Sequence, residues 1–120
     1  MKNDSKTTVE ELKQMIRKFI ADRRWEKYHH PKDIAESICI EAAELMEIFQ
    51  WRGIDEIQIL MRKQDFRKRI AEELADVIIY SLSMVNTTNV DLTDAIVRKL
   101  EKNERKYSVD EYQGKAHVGD

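Results

Sequence analysis

Apolar positions along the chain recur at helical spacing, in stretches separated by short polar breaks. Leu12, Ile16, Phe19 and Ile20 form the first stripe, with a capping box of Thr8 and Glu11 ahead of it, which predicts a helix from about residue 8 to 22. The segment "DRRWEKYHHPKD" breaks the period. Asp33 with Glu36 repeats the capping pattern after Pro31, so a second helix is expected from there to about Arg52, with Gly53 placed to end it. "IDEIQILMRKQDFRKR" is charged but keeps enough apolar residues for a short helical connector into a long third helix, from about Phe66 to Val85, which "NTTN" terminates. Val90, Asp91 and Asp94 read as a staple residue, an N-cap and an N3 carboxylate for a fourth helix reaching about Tyr107. Beyond it "SVDEYQGKAHVGD" has no apolar period, and residues 108–120 are expected to form a flexible tail. Three glycines, one proline and no alternating β-branched runs make the fold class all-α, a four-helix bundle.

Two acids are out of place in this pattern. At about 100° per residue, Ile34, Ile38, Leu45 and Ile48 fall within roughly 60° of Glu41, and Phe66, Ile70, Val77, Tyr80 and Met84 within roughly 60° of Glu73. Each carboxylate therefore sits in the middle of an apolar stripe. Each is also followed at i+3 by a second acid, Glu44 or Asp76, on the same face. If the two helices pack antiparallel, the four groups converge, and burying them as ions is costly unless something compensates. Lys or Arg from a neighbouring helix would serve, but two such pairs, both centred on apolar stripes, point more strongly to divalent cations. All the ligands offered are oxygen and no histidine is in register, which favours Mg2+, with Mn2+ as a substitute, over zinc or a di-iron centre. Mg2+ bridges readily to phosphate oxygens, and a pair of ions can hold both the attacking and the leaving oxygen. The expected chemistry is phosphoryl or nucleotidyl transfer on a polyphosphate.

Composition narrows the partners. A chain of 120 residues with 42% hydrophobic content is expected to form one domain spanning 1–120. Its 21 basic and 23 acidic residues give a net charge of -2, which offers no excess of positive charge for a nucleic acid polymer or an anionic membrane. Cys39, the only cysteine, has no disulfide partner, and no apolar run approaches a signal peptide or a spanning helix. A cytoplasmic protein is expected. Cys39, Ala43 and Met46 on the second helix, and Ala75, Ile78 and Leu82 on the third, lie on faces away from the carboxylates. Helices apolar on more than one side need covering on more than one side, so a homo-oligomer is expected to complete the core.

The stretches "RRWEKYHHPKDIAESICIEAAELMEIFQW" and "EELADVIIYSLSMVNTTNVDLTDAIVRKLEKNERKY" resemble the all-α nucleoside triphosphate pyrophosphohydrolases of the MazG type, and within them the dCTP pyrophosphatase branch. The likeness covers nearly the whole span from Arg23 to Tyr107. Members hydrolyse a nucleoside triphosphate between the α and β phosphates, to the monophosphate and pyrophosphate, and so clean the nucleotide pool. The resemblance implies that Glu41, Glu44, Glu73 and Asp76 are catalytic Mg2+ ligands, one of them also orienting the attacking water. It implies base contacts from Trp51 and Tyr80; on the expected helices Trp51 lies two turns beyond Glu44 on nearly the same side, and Tyr80 one turn beyond Asp76. His29 matches a histidine that contacts the nucleotide, with Trp25 beside it as a pocket residue. Lys99, Asn103 and Lys106 share one side of the fourth helix, where the family presents a basic and amide face to the triphosphate. The resemblance favours dCTP or a modified pyrimidine deoxynucleotide as substrate, and a homodimer or homotetramer whose sites are bordered by two subunits. Ile40 departs from the pattern, standing where many members place glutamate or glycine, and leaves the four acids intact. The alternative is a non-catalytic helical regulator or interaction module whose acids hold a structural metal or pair across an interface. An accessible cleft at the acids favours the enzyme, and closure by Lys or Arg favours the regulator.

Overall fold

The Thr8 hydroxyl accepts a hydrogen bond from the Glu11 amide at 3.1 Å and so caps α1, Val9–Asp22, in the computed structural model, which describes residues 1–116. Glu11 answers by accepting from the same hydroxyl at 3.3 Å rather than from the Thr8 amide. A 3-10 turn, Glu26–Tyr28, follows, and then α2, Pro31–Glu47, whose two ends both differ from the sequence reading. Pro31 takes the first helical position, where its missing N–H costs nothing. His30 caps it, its ring accepting from the Lys32 amide at 3.2 Å, so Asp33 falls inside the first turn instead of capping it. The helix stops at Glu47, short of Arg52. Trp51 is the residue in the left-handed region, at φ +68, whereas Gly53, at φ -77, is the extended N-cap of α3, Ile54–Leu60.

α4, Gln64–Thr88, overruns the expected helix at both ends. Asn86 and Thr87 continue it, and only Asn89, at φ 56, turns left-handed to stop it, a conformation asparagine tolerates better than most residues. α5, Leu92–Lys106, begins as the spacing predicts, with the Asp91 carboxylate accepting from the Asp94 amide at 2.9 Å. Asp91→Ala is expected to cost about 1 kcal/mol of stability, read as a lower denaturant midpoint at unchanged slope. α6, Val109–Tyr112, is a single turn within the segment expected to be a flexible tail. Tyr112 there packs edge-on against Tyr107, with ring centroids 5.3 Å apart. Six α-helices and no strand occur among the described residues, an all-α fold in which α3 is the short connector expected ahead of the long helix and α6 is the one helix beyond that reading.

The chain forms two compact units, Met1–Asn89 and the part from Val90 onward. In the first, α4 packs chiefly against α2 and less extensively against α1. Phe49, just past the end of α2, meets Phe66 near the start of α4, at 6.0 Å between ring centroids. At the other end the Thr87 hydroxyl donates to the His29 carbonyl, 3.4 Å away, just before α2. α2 and α4 therefore run antiparallel with their middles together. Ile34, Ile48, Phe66, Leu82 and Val85 form the buried core. Asn86 ties α1 to α4: its oxygen accepts from Arg17 at 2.8 Å, and its nitrogen donates to the Lys13 carbonyl at 3.1 Å. In the second unit α5 carries Ile96, Val97 and Leu100 exposed.

Candidate active site

Antiparallel packing brings the middle of α2 against the first half of α4, and with it the two misplaced acids. Carboxylate oxygens of Glu41, Glu73 and Asp76 lie within 4.8 Å of one another. Glu44 stands outside that set but close enough to act on both glutamates. Glu41 and Glu73 are half-buried, while Glu44 and Asp76 are exposed. Oε2 of Glu41 and Oε2 of Glu73 are buried with no hydrogen-bond partner among the described residues. None of the four acids takes part in an ion pair there either.

The electrostatic consequence follows directly. Desolvation raises the pKa of Glu41 above its ordinary 4.5, helped by the nearness of the Glu44 side chain and by the charges of Glu44, Asp76 and Glu73. Desolvation also raises that of Glu73, with the charges of Glu44 and Asp76 next, and only Arg69 opposes. Such a cluster is short of positive charge. Two orphaned carboxylate oxygens in an all-oxygen donor set match what a hard divalent cation requires, so these residues fit a metal ion of that class.

The aromatic and imidazole groups gather one turn farther along α4. Tyr80 is half-buried and its ring stacks on His29, with centroids 6.4 Å apart and planes 16° from parallel. The His29 Nδ1 lies 2.8 Å from the Trp25 carbonyl. A carbonyl can only accept, so Nδ1 carries the proton and a neutral ring keeps Nε2 as an acceptor. Trp25 packs edge-on against Phe19 at 6.0 Å, and the Arg23 guanidinium lies over Phe19 at 3.7 Å. The structure thus brings His29, Trp25 and Tyr80 into one neighbourhood.

Trp51 is placed differently from its expected position. Because α2 ends at Glu47, the side of the helix on which Trp51 was counted does not exist there; the residue sits in the following turn, 93% exposed. Lys99, Asn103 and Lys106 belong to α5 in the second unit, with Asn103 half-buried and both lysines exposed.

Periodicity missed a cavity of about 370 Å3 between α1, the 3-10 turn and α4, lined by Arg17, Glu26, His29, Ser83, Asn86 and Thr87. A signal was available, since Ser83 and Thr87 continue the face of α4 that carries Asp76 and Tyr80. Reading "NTTN" as a helix end concealed it.

A model of the MazG-like family matches residues 36–119. The chain is 32% identical to dCTP pyrophosphatase 1 of Bos taurus over 112 residues, 93% of this chain and 66% of the relative. To dCTP pyrophosphatase 1 of Homo sapiens it is 33% identical over 100 residues, 83% of this chain and 59% of that protein. The chain thus spans less than two thirds of the length of these curated relatives. The crystal structure of a pyrophosphatase from Archaeoglobus fulgidus DSM 4304 superposes with a TM-score of 0.76 at 44% identity, covering 90% of this chain and 99% of that one.

Proposed function

The chain belongs to the MazG-like family, and from that premise we propose that it is a Mg2+-dependent nucleoside triphosphate pyrophosphohydrolase acting on dCTP or a modified pyrimidine deoxynucleotide. The carrying observation is the carboxylate cluster within 4.8 Å, with two buried oxygens lacking partners. Glu41, Glu73 and Asp76, with Glu44 beside them, would hold the ion. Mg2+, when bound, offsets the charge of the phosphate oxygens and makes the attacking water more acidic. Glu44, outside the tight set, is proposed as the acid that orients that water and takes its proton. The water oxygen bonds to phosphorus, the bond to the oxygen bridging the α and β phosphates breaks, and pyrophosphate leaves with the electron pair. The absence of Lys or Arg partners among the described residues weighs against a purely structural role for the acids.

His29, Tyr80 and Trp25 form the proposed wall for the base. The phosphate contacts proposed for Lys99, Asn103 and Lys106 rest on the family resemblance. A single domain acting on the cytoplasmic nucleotide pool, as a homodimer or homotetramer, is part of the same reading. Of the faces expected to need cover, Leu82 is buried within the chain, whereas Cys39, Ala43, Met46, Ala75 and Ile78 are exposed, and Ile40 and Leu74 add to the uncovered apolar surface. Surface of this kind favours a second copy.

Trp51 combines full exposure with a left-handed backbone, a strained combination for a bulky residue. Its ring is proposed to close over the base. Trp51→Gly should relieve the strain, leaving the unfolding midpoint equal or higher, while KM for the nucleotide rises about tenfold, as loss of a stacked aromatic implies. A lower midpoint with unchanged KM would assign Trp51 to the fold. The reading as a whole is tested by incubating the protein with Mg2+ and a panel of dNTPs and NTPs. It expects monophosphate and pyrophosphate, with dCTP or a modified pyrimidine best; release of orthophosphate, or of nothing, would overturn it.

A further inference from the structure

One face of α4 carries a cation, two acids and an aromatic ring in line. At about 100° and 1.5 Å per residue, Arg69, Glu73, Asp76 and Tyr80 fall within a sector of about 60°, with Arg69 about 6 Å before Glu73 along the axis and Tyr80 about 6 Å beyond Asp76. The acids thus lie midway between the guanidinium and the ring. Arg69 is exposed and has the i,i+4 spacing that suits an ion pair with Glu73, yet it forms no ion pair among the described residues. Its charge still reaches the cluster, as the one influence that lowers the pKa of Glu73. A guanidinium so placed is available to an anion that arrives at the acids.

The order along this strip gives the substrate a direction. With the base against Tyr80 and His29 and the α phosphate at the acids, the β and γ phosphates continue past the acids toward Arg69. We propose that Arg69 is a catalytic residue that binds the departing pyrophosphate. This rests on the nucleotide reading above and specifies which part of the triphosphate the residue meets. When the bond between the α phosphorus and the bridging oxygen breaks, the electron pair stays on that oxygen and negative charge grows on the β phosphate. A guanidinium presents five N–H donors in a planar fork that matches two phosphate oxygens, so its hold strengthens as that charge develops. Arg69 gives up no proton: it donates hydrogen bonds, while the proton of the attacking water goes to Glu44. Because it meets the leaving group and not the monophosphate, its removal should separate the two products.

The test compares wild type with Arg69→Gln and Arg69→Lys in Mg2+, using the best triphosphate of the panel, with its monophosphate and pyrophosphate as inhibitors. Arg69 is exposed, so thermal unfolding close to wild type is expected and is checked alongside. Arg69→Gln should lower kcat about a hundredfold with a smaller change in KM, as loss of a donor aimed at developing charge implies. Its inhibition constant for pyrophosphate should rise about tenfold, and that for the monophosphate should stay as in wild type. Arg69→Lys, which keeps the charge but not the fork, should fall between the two. Calorimetric binding of pyrophosphate in Mg2+ should rank the three proteins the same way, while Mg2+ alone raises the melting temperature of Arg69→Gln at least as much as that of wild type. Wild-type kcat and pyrophosphate affinity in Arg69→Gln would overturn the proposal, and so would equal weakening of both products. Failure of wild type to release pyrophosphate from any triphosphate would instead overturn the reading beneath it, and the calorimetric arm would still decide whether Arg69 receives a pyrophosphate group.

Discussion

Glu41→Gln and Glu73→Gln should each lower pyrophosphate release by about a thousandfold or more, while raising the unfolding midpoint of the metal-free protein above that of wild type. The two effects have one cause. Each glutamate is half-buried and keeps one oxygen without a partner, in a cluster whose charges repel. Glutamine keeps the shape, removes one charge from that cluster and supplies donors to the carboxylates that remain. Folding gains from that exchange, whereas the hold on a cation, and on the phosphate charge opposite it, is lost. An acid that served only the fold would show the reverse, with a lower midpoint and little change in turnover. The measurement is a pair of melting curves with EDTA, beside pyrophosphate release in excess Mg2+.

Divalent cations should stabilise the protein by an amount that grows with pH. The folded-state pKa values of Glu41 and Glu73 lie above the ordinary 4.5, so the native state binds more protons than the unfolded chain between those limits. The stability these groups contribute to the metal-free protein is fully present below the ordinary value and is lost as pH rises through the raised ones. Cation binding runs the other way, because it needs the deprotonated acids. At a hundredfold excess over its Kd a ligand specific for the native state adds about 2.7 kcal/mol, on the order of 10 °C in Tm for a domain of this size. Melting curves with Mg2+ and with EDTA should therefore separate widely at pH 8 and draw together toward pH 5. A separation independent of pH would place the ion at groups other than these two.

How much of this was legible in the sequence depends on how local each feature is. An acid centred on an apolar stripe is a property of one helix, so Glu41 and Glu73 could be picked out by spacing alone, and Asp91 could be read as a cap from its neighbours. The end of α2 was not legible, because the left-handed residue that follows it is Trp51, a residue type that rarely adopts that conformation, while the nearby glycine is extended. "NTTN" looked like a stop because asparagine and threonine are weak helix formers. Asn86 overrides that preference with two tertiary hydrogen bonds to α1, which hold α4 helical past Val85. The cavity lined by Arg17 and Glu26 exists only once α1, the 3-10 turn and α4 are packed; spacing within α4 could place Ser83 and Thr87 on the Asp76 face, but not the residues opposite them.

The central claim is that these carboxylates are the seat of a divalent ion, and crystals soaked in Mn2+ test it most directly, since that ion gives an anomalous signal and Mg2+ does not. The account predicts an anomalous peak coordinated by oxygens of Glu41, Glu73 and Asp76 that is absent from Glu41→Gln crystals treated in the same way. Manganese bound elsewhere, with these three acids turned toward lysine or arginine side chains instead, would contradict it.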